Sequence, residues 1–288
     1  MMITVQDFTG VYAEQPFMQE LRAAAETSKD VRWLDCTKIV GTDCYCDDDA
    51  IKEINDLIDS AESNSKSKCD SNIENCGCTT NVPAMHFFDN GNYHYMSKLW
   101  TDRVQKPFTL IVFDHHPDMQ PPRFGGILSC GGWVKEVLDN NKFIQNAIII
   151  GVKDELVETV REELSQSVEA DILEKVTFIK ESELSTLSSL ICSEFSSILS
   201  SNLYISIDKD ALSPSYAATN WDQGSLTLDA LKESITFLAA DPDRKILGID
   251  ICGERAHDFE GNEHHTVQEA DTLNNSLNRE LVEFLQKI

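Results

Sequence analysis

Three short stretches concentrate the side chains able to bind a cation or move a proton. Residues 108–120, FTLIVFDHHPDMQ, form an apolar run that ends abruptly in Asp114, His115, His116, Pro117 and Asp118. Residues 203–210, LYISIDKD, end in Asp208 and Asp210, and His94 follows a third apolar run, AMHFFD. Alternate residues of extended chain share a face, so Asp114, His116 and Asp118 point together. Two carboxylates and an imidazole on one face hold a cation, or the carboxylates repel each other at some cost. Alone, D-x-H-x-D is as readily a polar loop with a chance histidine. The other two stretches shift that balance, because four carboxylates brought together call for positive charge. A pair of divalent ions roughly 3.5–4 Å apart can acidify a shared water near neutral pH. Oxygen-rich ligation with two imidazoles suits Mn2+, with Zn, Fe or Co as alternatives.

Convergence requires a scaffold. Apolar runs closed by turn residues read as buried strands, and in open α/β sheets chemistry sits beyond strand carboxyl ends. The spacing predicts strands over 2–5, 31–36, 84–89, 108–114, 147–152, 176–179, 203–207 and 246–251. Helical spacing falls between them, at 17–28, 49–62, 95–104, 133–139, 154–165, 183–199, 226–239 and 267–286. Such alternation predicts an α/β fold: a three-layer α/β/α arrangement around a mostly parallel sheet of about eight strands. No composition break or internal repeat divides the chain, so residues 1–288 are expected to form a single domain. Residues 62–80 read as an exposed Ser/Asn-rich loop carrying Cys69, Cys76 and Cys78.

Composition narrows the partners. Lys and Arg total 24 against 49 Asp and Glu, a formal charge of −25, which argues against nucleic acid and anionic membranes. An acidic balance fits a small cationic substrate or bound metal, and more often reflects simply a solvated acidic surface. No run approaches the roughly 20 apolar residues of a membrane helix, and the N-terminus lacks a signal-peptide pattern. Nine cysteines, an odd number scattered along a long chain, suit a reducing compartment. A cytoplasmic protein is expected. Cys44 and Cys46 form C-x-C, short of a zinc pattern even with Cys36 added.

The motifs together resemble those of the ureohydrolase superfamily of arginases, agmatinases and formiminoglutamases. That signature is G-x-x-H, then D-x-H-x-D, then S-x-D-x-D. This chain reads Gly91-Asn92-Tyr93-His94, Asp114-His115-His116-Pro117-Asp118 and Ser206-Ile207-Asp208-Lys209-Asp210. The resemblance implies an arginase-like fold and two Mn2+ held by His94, Asp114, His116, Asp118, Asp208 and Asp210. It implies hydrolysis of a C–N bond in a guanidino or formimino compound by a metal-bridging hydroxide, with Asp118 handling the proton. It also implies self-association as a trimer or hexamer.

Departures from the pattern bear on substrate recognition. Where arginases place a proton-shuttling histidine, this chain has Leu128-Ser129-Cys130-Gly131-Gly132, so Cys130 is the candidate there, as proton donor or substrate-facing thiol and as readily a buried, inert cysteine. The family's guanidinium-gripping Glu follows D-[IL]-x; here Gly253 follows Asp250-Ile251-Cys252 and Glu254 comes one place late. One place flips the face of extended chain, unless Gly253 forms a bulge. Glu254, Gln120 and Trp221 are the candidate substrate contacts, with a solvated acid and a loop amide as plainer roles for the first two. Cys252 reads as core. His115 is a candidate for orienting a ligand, while His257, His264 and His265 read as exposed, with one able to supply the missing shuttle. Two further readings stay open: a metal-dependent amidohydrolase resembling the deacetylases, and a metal-binding homologue without turnover.

Overall fold

Residues that are apolar at every position, rather than at alternate ones, mark strands covered on both faces. Phe108–Phe113 is such a strand, buried at each residue. A computed structural model describes residues 1–66, 83–122, 125–165, 170–193, 195, 198–261 and 264–288. Among them lie ten strands: β1 (Ile3–Asp7), β2 (Val31–Asp35), β3 (Tyr45–Cys46), β4 (Ala84–Phe87), β5 (Phe108–Phe113), β6 (Leu128–Ser129), β7 (Ile144–Val152), β8 (Val176–Lys180), β9 (Asn202–Asp208) and β10 (Lys245–Cys252). Eight form one sheet in the order β2-β1-β4-β10-β9-β5-β7-β8, every pair parallel.

The helices are α1 (Pro16–Thr27), α2 (Asp48–Lys66), α3 (Met96–Thr101), α4 (Trp133–Asn140), α5 (Asp154–Ser165), α6 (Leu187–Ser193), α7 (Leu228–Ala239) and α8 (Val267–Leu285). Period-two alternation divides them into two layers. Ile111, Phe113, Ile205, Ile207, Ile249 and Ile251 pack against Met18 of α1, Ile191 of α6, Ile235 of α7 and Leu281 of α8. Leu110, Val112, Ile149 and Tyr204 point the other way, against Ile54 of α2, Leu99 of α3, Trp133 of α4 and Val157 of α5. The three-layer α/β/α arrangement is therefore the one the spacing predicts, and its sheet is wholly parallel.

Three elements differ from expectation. The expected helix over 183–199 is a 3-10 turn, Glu181–Thr186, followed by the short α6; its Ser-rich sequence is a weak helix former. The polar turn at 41–49 and the loop at 119–132 each contribute two residues to an antiparallel pair, β3 and β6, too short to show a period. The helix expected to end at residue 62 continues to Lys66, and the rest of the predicted 62–80 loop lies outside the described residues, as do Cys69, Cys76 and Cys78. No helix among the described residues is long and apolar enough to cross a membrane.

Candidate metal centre

Four neighbouring strand tips, those of β4, β10, β9 and β5, converge at the carboxyl edge of the sheet. Register sets Cys252 beside Asp208 and Phe113 beside Ile207, so residues just beyond each strand meet. His94 Nδ1 lies 3.0 Å from Asp118 Oδ2, 3.2 Å from Asp114 Oδ2 and 3.4 Å from Asp208 Oδ2. His116 Nδ1 lies 2.9 Å from Asp210 Oδ2 and 3.6 Å from Asp114 Oδ1. Asp114 thus joins two groups, one oxygen toward each histidine. In both His94–Asp114–Asp118 and Asp114–His116–Asp210, the ligand atoms lie within 4.8 Å of one another.

Each candidate ligand is fixed by the sequence around it. His94 Nε2 sits 2.9 Å from Ser206 Oγ, which is 2.8 Å from Ser97 Oγ. A proton on Nε2 shared with Ser206 leaves Nδ1 aimed at the carboxylates. Ser206 shares a face with Asp208, so one strand supplies both a carboxylate of the cluster and the hydroxyl that orients His94. Asp118 has a left-handed backbone (φ 48°) and accepts the Trp133 indole N–H at 2.7 Å. Gly132, just before Trp133, passes so close to Gln120 that a Cβ would lie 2.7 Å from its carbonyl oxygen. Asp208 Oδ1 accepts the Asp210 N–H at 3.0 Å, and Asp210 Oδ1 accepts the His115 N–H at 3.1 Å. Replacing Ser206 with Ala is expected to leave the fold intact but weaken metal binding about 10–100-fold, read by calorimetric titration with Mn2+.

The electrostatics point to a cation. Burial alone would lower the His94 pKa, but Asp114, Asp118 and Asp208 outweigh it and raise it well above normal. His116 is likewise pushed up to about 12 by Asp114 and Asp210 against the effect of burial. Burial, then Asp210, raises Asp208 to about 7, and burial and Asp114 raise Asp210. Asp114 Oδ2 is buried with no hydrogen-bond donor. Buried polar atoms are ordinarily satisfied, so an oxygen-rich set with one oxygen unmet fits a bound metal.

The other expected residues fall in different places. Trp221, 41 % exposed, stands edge-on to His116 with ring centroids 5.8 Å apart. Its ring covers Gly91 so closely that a Cβ there would lie 2.7 Å from Cδ1, and its N–H reaches Asn92 Oδ1 at 3.0 Å. Trp221, Asp222, Gln223 and His264 line an adjoining cleft of about 370 Å3. Gln120 is exposed, lying against Gly131 and Gly132. His115 faces the Gly151 carbonyl at 3.3 Å, His257 the Asp271 carboxylate at 3.0 Å and His265 the Pro214 carbonyl at 2.7 Å.

Two expected roles meet obstacles. Cys130 is buried, and its thiol is raised by the Cys44 thiol, then by burial and Asp118, which makes it a poor proton shuttle. Glu254 is wholly buried, and both its oxygens are taken: by Lys209, by Asn278 Nδ2 at 2.8 Å and by Gln15 Nε2 at 2.9 Å. The cause is Gly253, whose left-handed backbone (φ 97°) lets its own N–H and that of Glu254 both donate to the Asp89 carbonyl. With this left-handed turn Glu254 faces Gln15, just before α1, and Asn278 of α8, so no surface of it is left for a substrate. Cys252 lies in the core, as expected, and from there its Sγ also reaches to 3.2 Å from Asp208 Oδ2. Its nearness follows from β10 pairing with β9, which spacing along the chain does not reveal.

A sequence model of the arginase family matches residues 93–266. An uncharacterized protein of Thermotoga maritima is 25% identical over 254 residues, 88% of this chain and 79% of that one. Among solved structures, the agmatine ureohydrolase of Thermoplasma volcanium superposes with TM-score 0.61 at 14% identity, covering 99% of this chain and 89% of that one. The proclavaminate amidino hydrolase of Streptomyces clavuligerus gives 0.57 at 15%, covering 99% and 92%. The formiminoglutamase of Trypanosoma cruzi, solved with Mn2+, gives 0.55 at 12%, covering 96% and 93%.

Proposed function

We propose that this chain, which belongs to the arginase family, is a metal-dependent hydrolase cleaving a C–N bond in a small guanidino- or formimino-type molecule. The observation that carries the reading is the convergence of His94, Asp114, His116, Asp118, Asp208 and Asp210 on one buried cluster with an unmet oxygen. Those six would hold two Mn2+, or related divalent ions. When bound, the ions neutralise the carboxylates and supply hydroxide near neutral pH. Asp118, held by Trp133 and by its backbone, takes the proton from the attacking water and returns it to the leaving nitrogen. Trp221 forms a wall for a planar substrate entering from the adjoining cleft, and Gln120 reaches its distal end. His264, in that cleft, is better placed than Cys130 to relay protons to solvent. On this reading residues 1–288 act as one domain and assemble into trimers or hexamers.

The names of the structural neighbours, agmatine ureohydrolase, proclavaminate amidino hydrolase and formiminoglutamase, support screening guanidino and formimino compounds together. With Mn2+ added, one of them is expected to release urea, formamide or ammonia. Silence across both classes, with metal bound, would favour the second reading, a homologue that binds metal or ligand without turnover. The burial of Glu254 favours that reading, because it leaves the usual guanidinium partner absent. One zinc per chain with amide hydrolysis would instead indicate a deacetylase-like enzyme. For an active substrate, Trp221→Ala is expected to raise KM about tenfold, roughly 1.4 kcal/mol of binding, with kcat little changed in steady-state assays.

A further inference from the structure

Beside the six expected ligands stands a seventh donor that the family signature does not include. Cys252 ends β10, in register with Asp208 at the end of β9. Its Sγ lies 3.2 Å from Asp208 Oδ2, and the donor atoms of His94, Asp208 and Cys252 all lie within 4.8 Å of one another. All three residues are buried. The same His94 nitrogen faces Asp114 Oδ2, the buried oxygen without a hydrogen-bond donor. The local backbone brings the strand tips unusually close: a Cβ on Gly253 would lie 2.3 Å from Asp208 Oδ1. Only glycine is tolerated there, both for this approach and for its left-handed backbone. The glycine that removes an acid from the substrate side thus seats the neighbouring thiol against the carboxylate cluster.

We propose that Cys252 is a metal ligand, making the His94 position a mixed site of imidazole, carboxylate and thiolate. On metal binding the thiol proton leaves to solvent and the sulfur takes its place on the ion. The inference rests on the metal-hydrolase reading above and specifies which ion that reading needs. Thiolate ligands favour zinc, iron or cobalt over manganese, whereas carboxylates suit manganese. The Asp114–His116–Asp210 position keeps only oxygen and nitrogen donors and stays suited to Mn2+. The two positions therefore differ in metal preference.

The test is the absorption spectrum of the full chain loaded with Co2+. Wild type is expected to show the visible ligand-field bands of bound cobalt together with an intense near-ultraviolet thiolate-to-cobalt band. In Cys252→Ser and Cys252→Ala the near-ultraviolet band should vanish while visible bands remain. Visible bands alone in wild type, or a near-ultraviolet band that survives in both variants, would overturn the thiolate ligand and leave the metal centre standing. Absence of bound cobalt in every protein would overturn the metal centre itself, and this inference with it. Should the variants fail to fold, X-ray absorption of wild type carrying one equivalent of zinc decides. A sulfur neighbour at about 2.3 Å is expected, and a shell of nitrogen and oxygen alone would refute the proposal.

Discussion

Asp114→Asn is expected to abolish binding of divalent metal at both positions. Asp114 is the residue shared by the two groups, one oxygen facing His94 and the other His116. Asparagine keeps its shape and the acceptor for the His116 N–H but removes the charge. Elemental analysis should give about two ions per wild-type chain and fewer than half an ion in the variant. Thermal melts give an independent readout. Metal at a thousandfold over its dissociation constant stabilises a protein by about 4 kcal/mol, on the order of 10 °C for a chain of this size. Wild type should gain that shift and Asp114→Asn should not. Without metal the order should reverse, because the variant loses one of four crowded carboxylates and part of their repulsion. A variant that binds metal as wild type does would remove Asp114 from the centre.

The candidate cluster was legible in the sequence because two of its motifs close largely buried strands. Asp114 and Asp208 follow FTLIVF and NLYISI, whose buried patterns leave no ambiguity about where the sheet ends. Alternation then places His116 with Asp114 and Asp210 with Asp208. Strand order is the information that local pattern lacks. β10 is the last strand among the described residues, yet it inserts between β4 and β9, and this non-local choice makes the core residue Cys252 a neighbour of Asp208 as well. Glu254 was hidden for another reason. Its direction depends on one glycine adopting φ 97°, a conformation that sequence permits at Gly253 without requiring it. Trp133 is similar: an apolar residue opening a helix gives no sign that its indole will meet a carboxylate fifteen positions earlier in the chain.

Glu254→Ala is expected to act on stability, by about 3–5 kcal/mol, before it acts on any substrate. Lys209 pairs with Glu254, and both side chains are about 1% exposed. Lys209 lies between Asp208 and Asp210 in the chain, and its ammonium is turned to Glu254. The network continues through Gln15, just before α1, and Asn278 in α8, whose amide also reaches Gln15 Oε1 at 2.9 Å. A buried charge left without its partner costs about 3–5 kcal/mol, whereas an apolar replacement of both can be nearly neutral. Lys209→Met and Glu254→Ala should therefore each lower the urea midpoint sharply, and Lys209→Met/Glu254→Leu should recover much of the loss. The double variant separates structure from recognition. If Glu254 served the substrate, Glu254→Gln would raise KM while leaving the unfolding midpoint near wild type. If it serves the fold, the midpoint falls and the double variant restores it. The geometry favours the second outcome, because the pair ties the tips of β9 and β10 to the α1–α8 layer, directly behind Asp208 and Asp210. Its cost when broken should appear also as weaker metal binding, since two of the proposed ligands, Asp208 and Asp210, flank Lys209.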